Sequence, residues 1–326
     1  MDAILAVTVP FFALVLCGYL AADRRVLPEN AIPGLNTFVL FFALPCMLFR
    51  FGAGMPLRQL IDPMLIGLYS AAAVLLVFFT VALTWQRAGV DLKNAGFGAL
   101  VAAFPNTGFM GVPLLVALYG ESAAGPVIGI VLVDLVLTST LCIAIAQWQE
   151  EHRQPAAGGI GSSILRSLRS ATTNPLPWAI ALGALFQATG IGLPGPIAQI
   201  VRMLGDAATP VALFTIGAVL WRARQHVHTR TPVRAYLPVA LVKLLVHPLL
   251  VASLGVLAHR AGMPVSPAGL TVLVLAAALP SASNVSLLAE RYGADNGRVA
   301  RIIMASTVLA FGSFSLLAWA ARARPL

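Results

Sequence analysis

The chain has 326 residues, 59% of them hydrophobic and only 10% charged, with mean hydropathy +0.89 and a formal charge of +9. Soluble domains carry roughly 25% charged residues, so an ordinary soluble fold is excluded and an all-α polytopic membrane protein is expected. The apolar runs are about 18 to 25 residues long, as spanning helices require, and a β-barrel built from strands of about ten is excluded as well.

Ten spans are expected in chain order, at residues 3–22, 35–51, 63–86, 95–119, 124–148, 175–189, 196–221, 235–260, 267–291 and 298–321. The first has no basic leader, since Asp2 is the only early charge, and it reads as a spanning helix rather than a signal peptide. The second, fourth, seventh and ninth contain Pro45, Pro105 with Pro113, Pro210 and Pro280. Proline removes an amide donor and kinks or breaks a helix. Cys17, Cys46 and Cys142 all lie in apolar segments without metal-ligand spacing, so neither a disulfide framework nor a zinc site is expected.

Fourteen basic residues fall in loops on one side of these spans and six on the other, with Lys243 inside a span. The positive-inside rule places the richer side in the cytoplasm and both termini outside. The positive charge therefore reads as orientation, not as a nucleic-acid footprint. Residues 149–174 form the longest loop, a cytoplasmic linker with a Gly-Gly-Ile-Gly-Ser-Ser core. It separates a first five-helix repeat, 1–148, from a second, 175–326. An odd number of spans per half inverts one half relative to the other. Echoes in the same order support the repeat: Pro45 with Leu48-Phe49 against Pro210 with Leu213-Phe214, Pro105 against Pro280, and Tyr119-Gly120 against Tyr292-Gly293.

The fourth and ninth spans are interrupted alike. One reads Phe104-Pro105-Asn106-Thr107-Gly108-Phe109-Met110-Gly111-Val112-Pro113-Leu114-Leu115, the other Leu279-Pro280-Ser281-Ala282-Ser283-Asn284-Val285-Ser286-Leu287-Leu288. Backbone freed inside a bilayer must face protein or a water-filled cavity, and paired breaks in two halves point to a transporter's substrate site. Half-helices starting near midplane aim unpaired amides and a positive dipole end at an anion. Asn106 and Thr107, and Ser281, Ser283 and Asn284, are suited either to cap those starts or to bond a carboxylate. Gly108 and Gly111 permit close approach of ligand or of the crossing chain.

Ionisable residues within the bilayer are functional candidates. Asp134 is the candidate for proton coupling. Lys243 is a candidate for attracting an anion, for pairing with Asp134, or for snorkelling. Asp206 stands four residues after Arg202, the spacing of an ion pair on one helix. His247 reads as a packed histidine, and His226 and His228 as part of a solvated basic loop. Trp85, Trp148, Trp221 and Trp319 stand at span ends, as interfacial anchors do. No G-x-S-x-G, P-loop or H-E-x-x-H occurs, so neither an enzyme nor an ATP-driven pump is expected.

The run from Pro105 to Leu115, continuing to Tyr119-Gly120, resembles the fourth-helix signature of the auxin efflux carriers, P-N-T-x-x-M-G-x-P-L-L in the plant PIN-type members. Asn36-Thr37-Phe38-Val39 followed by Ala43-Leu44-Pro45 is similar to the family's second helix. Asn174-Pro175, Asp206-Ala207 through Leu213-Phe214 to Gly217, and Leu279-Pro280 leading to Ala289-Glu290-Arg291-Tyr292 fit as well. The resemblance spans essentially the whole chain. It implies ten helices in two inverted repeats, a fold related to bile-acid sodium symporters, with helices four and nine crossing at Pro105 and Pro280. Helices 1, 2, 6 and 7 would form a scaffold, and 3–5 with 8–10 a transport domain that slides as an elevator. The scaffold would mediate a homodimer, and Asn106 and Asn284 would contact a substrate carboxylate. The chain departs from the plant carriers in its polar ninth-helix segment and its short linker. It resembles a compact bacterial inner-membrane member, and such members are associated with malonate, malate or similar carboxylates.

The reading is a secondary transporter of a small organic anion with no cofactor or metal, proton-coupled rather than sodium-coupled if coupled at all. A sodium symporter of the bile-acid class and a membrane ligand sensor remain as alternatives.

Overall fold

The computed structural model describes residues 2–56, 60–153, 174–225 and 231–323. Among the described residues the ordered structure is helical, apart from one isolated antiparallel bridge between Pro105 and Ser281. Twelve helical runs are labelled α1 Asp2–Asp23, α2 Glu29–Gly54, α3 Pro63–Thr84, α4 Leu92–Ala103, α5 Thr107–Tyr119, α6 Glu121–Trp148, α7 Pro175–Thr189, α8 Gly195–Gln225, α9 Val233–Arg260, α10 Pro267–Ala277, α11 Val285–Arg291 and α12 Asn296–Ala323. Among the described residues, seven helices (α1, α2, α3, α6, α8, α9 and α12) are long and apolar enough to cross a membrane, and α5 and α10 are shorter apolar helices. The chain is a multi-pass, all-helical membrane protein. The expected linker at 149–174 and the basic loop with His226 and His228 lie almost wholly outside the described residues.

Local chemistry explains where the helices begin. Asp62 accepts from the amides of Met64 (2.9 Å) and Leu65 (3.2 Å) with Pro63 in the first turn, and Asn174 accepts from Leu176 (2.9 Å) before Pro175. Ser266 accepts from Gly269 (3.2 Å) before Pro267, and Asp91 accepts from Asn94 (2.8 Å) at α4. Each pairs a capping side chain with orphan amides, and the prolines fit a first turn that needs no donor. The repeated Tyr-Gly pairs are stops: Gly120 and Gly293 take φ of +82° and +64°, a conformation that a side chain disfavours.

Pro45 and Pro210 do not break their helices. Pro45 follows a π-turn at Val39–Ala43 that absorbs the missing donor, and Pro210 sits within continuous α8. The second and seventh spans also run beyond the expected 35–51 and 196–221, from Glu29 to Gly54 and from Gly195 to Gln225.

Two packing groups form. In one, α1 lies along α8, and α2 packs on α7 and α8. These contacts run through glycine. A methyl on Gly18 would stand 1.8 Å from the Phe214 carbonyl oxygen, and one on Gly217 would stand 1.8 Å from that of Val15. Gly52 and Gly183 meet in the same way between α2 and α7, at 2.7 Å from the Ile180 oxygen and 2.3 Å from the Phe49 oxygen. Lipid tails leave no hydrophobic force between helices, so small residues that let backbones approach supply the association. In the other group α3 packs on α4, α4 on the end of α6, α9 on α3 and α10, and α12 on the start of α9. The first group meets the second where α1 touches α5 and α12, and where α8 touches α12 and the π-turn that opens α5.

Candidate substrate site

Helix α4 stops at Ala103 and α10 at Ala277, and the chain runs non-helically before α5 and α11 begin. The two interruptions cross and satisfy each other. The Asn106 amide donates to the Pro280 carbonyl at 2.8 Å, and the Ala282 amide donates to the Phe104 carbonyl at 3.0 Å. Pro105 and Pro280 have no amide to give, so the residues just beyond them make the bonds. Ser281 donates its amide to Ser306 Oγ on α12 at 3.1 Å. Backbone polarity stranded by two broken helices is thereby satisfied within protein, as a bilayer interior demands.

Of the two roles open to the polar side chains, Asn106 and Asn284 do not cap the half-helices. Asn106 precedes a π-turn at Thr107–Gly111 and makes no side-chain cap; its carbonyl accepts from the amides of Met110 and Gly111, both at 3.0 Å. Thr107 Oγ1 reaches only the Pro105 carbonyl, at 3.4 Å. Asn284 makes no cap to α11, and Ser281 Oγ is buried without a partner. Helix α11 has only 7 residues, so the dipole expected at its start is short. Gly111 does permit close approach, since a methyl there would meet Leu279 Cδ1 of the crossing chain at 2.8 Å, whereas nothing lies near Gly108.

A cavity of about 340 Å³ with mixed polar and apolar walls opens beside the crossing. Its polar lining comprises Asn36 and Thr37 of α2, Arg222 of α8, Ser283 and Asn284 of the second break, Ser286 and Glu290 of α11, and Asn296 of α12. Thus both packing groups contribute walls. Pro105, Asn106, Thr107, Gly108, Pro280 and Ser281 are not in the lining, and most of them are buried behind it. Arg222 also stands 3.5 Å from Glu29, and Ser286 Oγ donates to Asn296 Oδ1 at 2.6 Å. Sequence reasoning counted Arg222 only as an orientation charge. Asn36 and Thr37 were visible only as a family motif.

Behind the crossing lies a buried polar cluster. Asp134 and Lys243 are both fully buried, each on a π-turn, at Asp134–Thr138 and Val242–Val246. Such turns recur at functional sites. The Asp134 carboxylate accepts from Tyr69 Oη at 3.3 Å and from Thr138 Oγ1 at 3.0 Å. Lys243 Nζ donates to the Ala277 carbonyl at 2.8 Å and lies 2.9 Å from His247 Nδ1. Tyr69 Oη is also 3.4 Å from the Ala103 carbonyl. The cluster therefore reaches the last turn of both α4 and α10, where carbonyls lack helical partners. Lys243 and Asp134 make no direct ion pair, so the direct contact suggested by sequence is replaced by a shared cluster. His247 belongs to that cluster and leaves Nε2 unpartnered. Tyr69 went unnoticed in the sequence, where an isolated tyrosine in an apolar span carries no signal. Asp206 sits elsewhere, paired at 2.6 Å with Arg50 of α2 rather than with Arg202 of its own helix.

Residues 3–319 match the family described as membrane transport protein, which includes the auxin efflux carriers. The chain belongs to this family. The transporter is 28% identical over 329 residues to a Rhizobium meliloti protein provisionally named a malonate transporter, an alignment covering 100% of this chain and 98% of that one. It is 30% identical to an uncharacterized transporter of Methanothermobacter thermautotrophicus, with 93% of each covered. It is also 22% identical to auxin efflux carrier component 8 of Arabidopsis thaliana, over 66% of this chain and 71% of the plant protein.

Proposed function

We propose that the transporter moves a small organic anion, a mono- or dicarboxylate of the malonate or malate kind, across the bacterial inner membrane by alternating access. The observation that carries this reading is the mutual pairing of the two breaks beside a cavity that presents Arg222, Ser283 and Asn284. A guanidinium with several amide and hydroxyl groups is a donor set for a carboxylate, and it must outweigh the Glu290 carboxylate in the same lining and the pull of Glu29 on Arg222. Asn106 and Ser281 stand at the crossing with side-chain groups that cap no helix, and they complete the site when the cavity deepens toward them. The relative named as a malonate transporter supports a compact carboxylate over a bulky aromatic one.

In this reading the ten spans form two inverted five-helix repeats, with α4–α5 and α10–α11 as the broken fourth and ninth. Helices α1, α2, α7 and α8 are the scaffold, and α3–α6 with α9–α12 the transport domain. The cavity draws walls from both, so sliding one against the other would carry its contents. The scaffold pairs two copies, both termini face outward, and no cofactor is needed. Asp134 and Lys243 couple movement to protons rather than to sodium. Lys243 Nζ occupies the Ala277 carbonyl at the end of α10, an oxygen of the kind a Na⁺ bound there would need.

The test is uptake and efflux of a labelled carboxylate panel in proteoliposomes, with imposed sodium and pH gradients. Movement of a small carboxylate, faster with a pH gradient and indifferent to sodium, is expected. Loss of binding in Asn106→Ala is expected too, and unchanged affinity in that variant would sink the crossing as the site. Binding with no movement under any gradient would mark a sensor instead.

A further inference from the structure

A second cavity, of about 130 Å³, lies apart from the crossing, where the end of α3, the loop after it, the start of α9 and the start of α12 meet. Three arginines line it, Arg87, Arg234 and Arg298, and no acidic residue does. Arg87 and Arg234 are exposed, whereas Arg298 is only 3% exposed. Burying a guanidinium is costly unless its donors are used. Arg298 uses two of its nitrogens: Nε donates to the Ala235 carbonyl at 2.8 Å and Nη1 to the Asn94 carbonyl at 2.7 Å. Its Nη2 is buried with no partner.

The nearby carboxylates do not account for that donor. Asp295 accepts from the Arg298 backbone amide at 2.9 Å, and Asp91 caps α4 through Asn94 at 2.8 Å. Neither forms an ion pair with the Arg298 guanidinium. The guanidinium instead packs against Gly98, where a methyl would stand 3.0 Å from Nη1 and 3.1 Å from Nη2. It is thus held by two carbonyls and a glycine, its Nη2 nitrogen is unpartnered, and the residue lines a cavity whose other charges are positive.

We propose that this cavity binds a phosphate-class anion, either a lipid headgroup phosphate or free inorganic phosphate. A water takes roughly 30 Å³ of liquid volume, so 130 Å³ admits a group of phosphate size. Arginine forks match phosphate oxygens in pairs, and basic pockets between membrane helices on the cytoplasmic side hold anionic headgroups. The loop charges place this face in the cytoplasm. Trp85, exposed two residues before Arg87, stands where interfacial aromatics stand. A bound anion would join α3, α9 and α12 at the cytoplasmic end of the second packing group.

The experiment compares wild type, the double variant R87Q/R234Q, and a control double variant R24Q/R25Q with the same loss of charge on another loop. Arg298 is left intact because its carbonyl contacts belong to the fold. Binding of dioleoylphosphatidylglycerol and of dioleoylphosphatidylcholine is measured by native mass spectrometry. Thermal stability is measured with inorganic phosphate. Each arginine near a charged headgroup contributes enough that losing two weakens binding about thirtyfold. That loss is expected for phosphatidylglycerol in R87Q/R234Q and not in R24Q/R25Q. If inorganic phosphate also stabilises wild type but not R87Q/R234Q, the site takes the free anion as well. Equal losses in the two double variants, or no response of wild type to either probe, would overturn the proposal.

Discussion

Asn284→Ala tests the cavity most directly, because the side chain lines it and makes no helix cap. The substitution removes an amide while leaving the backbone bond from Leu288 to the Asn284 carbonyl in place, at 3.3 Å. The fold therefore loses little, and surface-like substitutions of this kind cost within about 0.5 kcal/mol. A bound carboxylate would lose one hydrogen bond to a charged group, worth about 1.5–3 kcal/mol. That corresponds to roughly 10- to 150-fold weaker binding. The assay is isothermal titration of the purified protein with malonate, beside a thermal melt in the same detergent. The expected pairing is a Kd raised at least tenfold with a Tm unchanged within about 2 °C. A large fall in Tm would show that Asn284 holds the crossing together. An unchanged Kd would show that the second break does not touch substrate. Either result refutes the reasoning.

Lys243→Met removes the donor to the Ala277 carbonyl and leaves that buried acceptor unmade at a cost of about 1–3 kcal/mol; a lower Tm and loss of pH-gradient-driven uptake are expected, and retained pH dependence would exclude the cluster from coupling. Ser306→Ala strips the partner from the Ser281 amide and should destabilise by a similar 1–3 kcal/mol, read as a lower unfolding midpoint without a comparable loss when Ser315 is replaced. Gly217→Leu drives a side chain into the Val15 carbonyl, which a methyl alone would approach to 1.8 Å; separation of α1 from α8 should abolish the folded peak in size-exclusion chromatography, and normal elution with full transport would refute close packing there. The Arg50–Asp206 pair is more than 40% exposed on both sides, so a double-mutant cycle should give under about 1 kcal/mol of coupling.

The crossing was legible as paired anomalies. Pro105 and Pro280, the small polar residues after them and the Tyr-Gly stops stand out because apolar spans seldom contain them, and the structure crosses those two breaks. Chain order left two roles open for the polar residues after the prolines, capping or substrate contact, because a half-helix start read in isolation needs its amides satisfied. In the fold the crossing chain satisfies part of that need and a π-turn another part. The pairing of Asp206 was misjudged, since a spacing of four names the neighbour on one helix but not Arg50 on the next.

The sequence by itself determined the membrane class, the family, the helix starts at Asp62, Asn174 and Ser266, and the two places where spans break. These follow from composition and from contacts within a few residues, which chain order dictates directly. Only the tertiary structure decided that the breaks bond to each other, that Arg222 shares a cavity with Ser283 and Asn284, and that Tyr69, Asp134, Lys243 and His247 gather behind the crossing. The elements that carry those groups lie tens to hundreds of residues apart. What unites them is the cost of leaving a polar group unpaired inside a bilayer, and that cost depends on neighbours that only packing supplies.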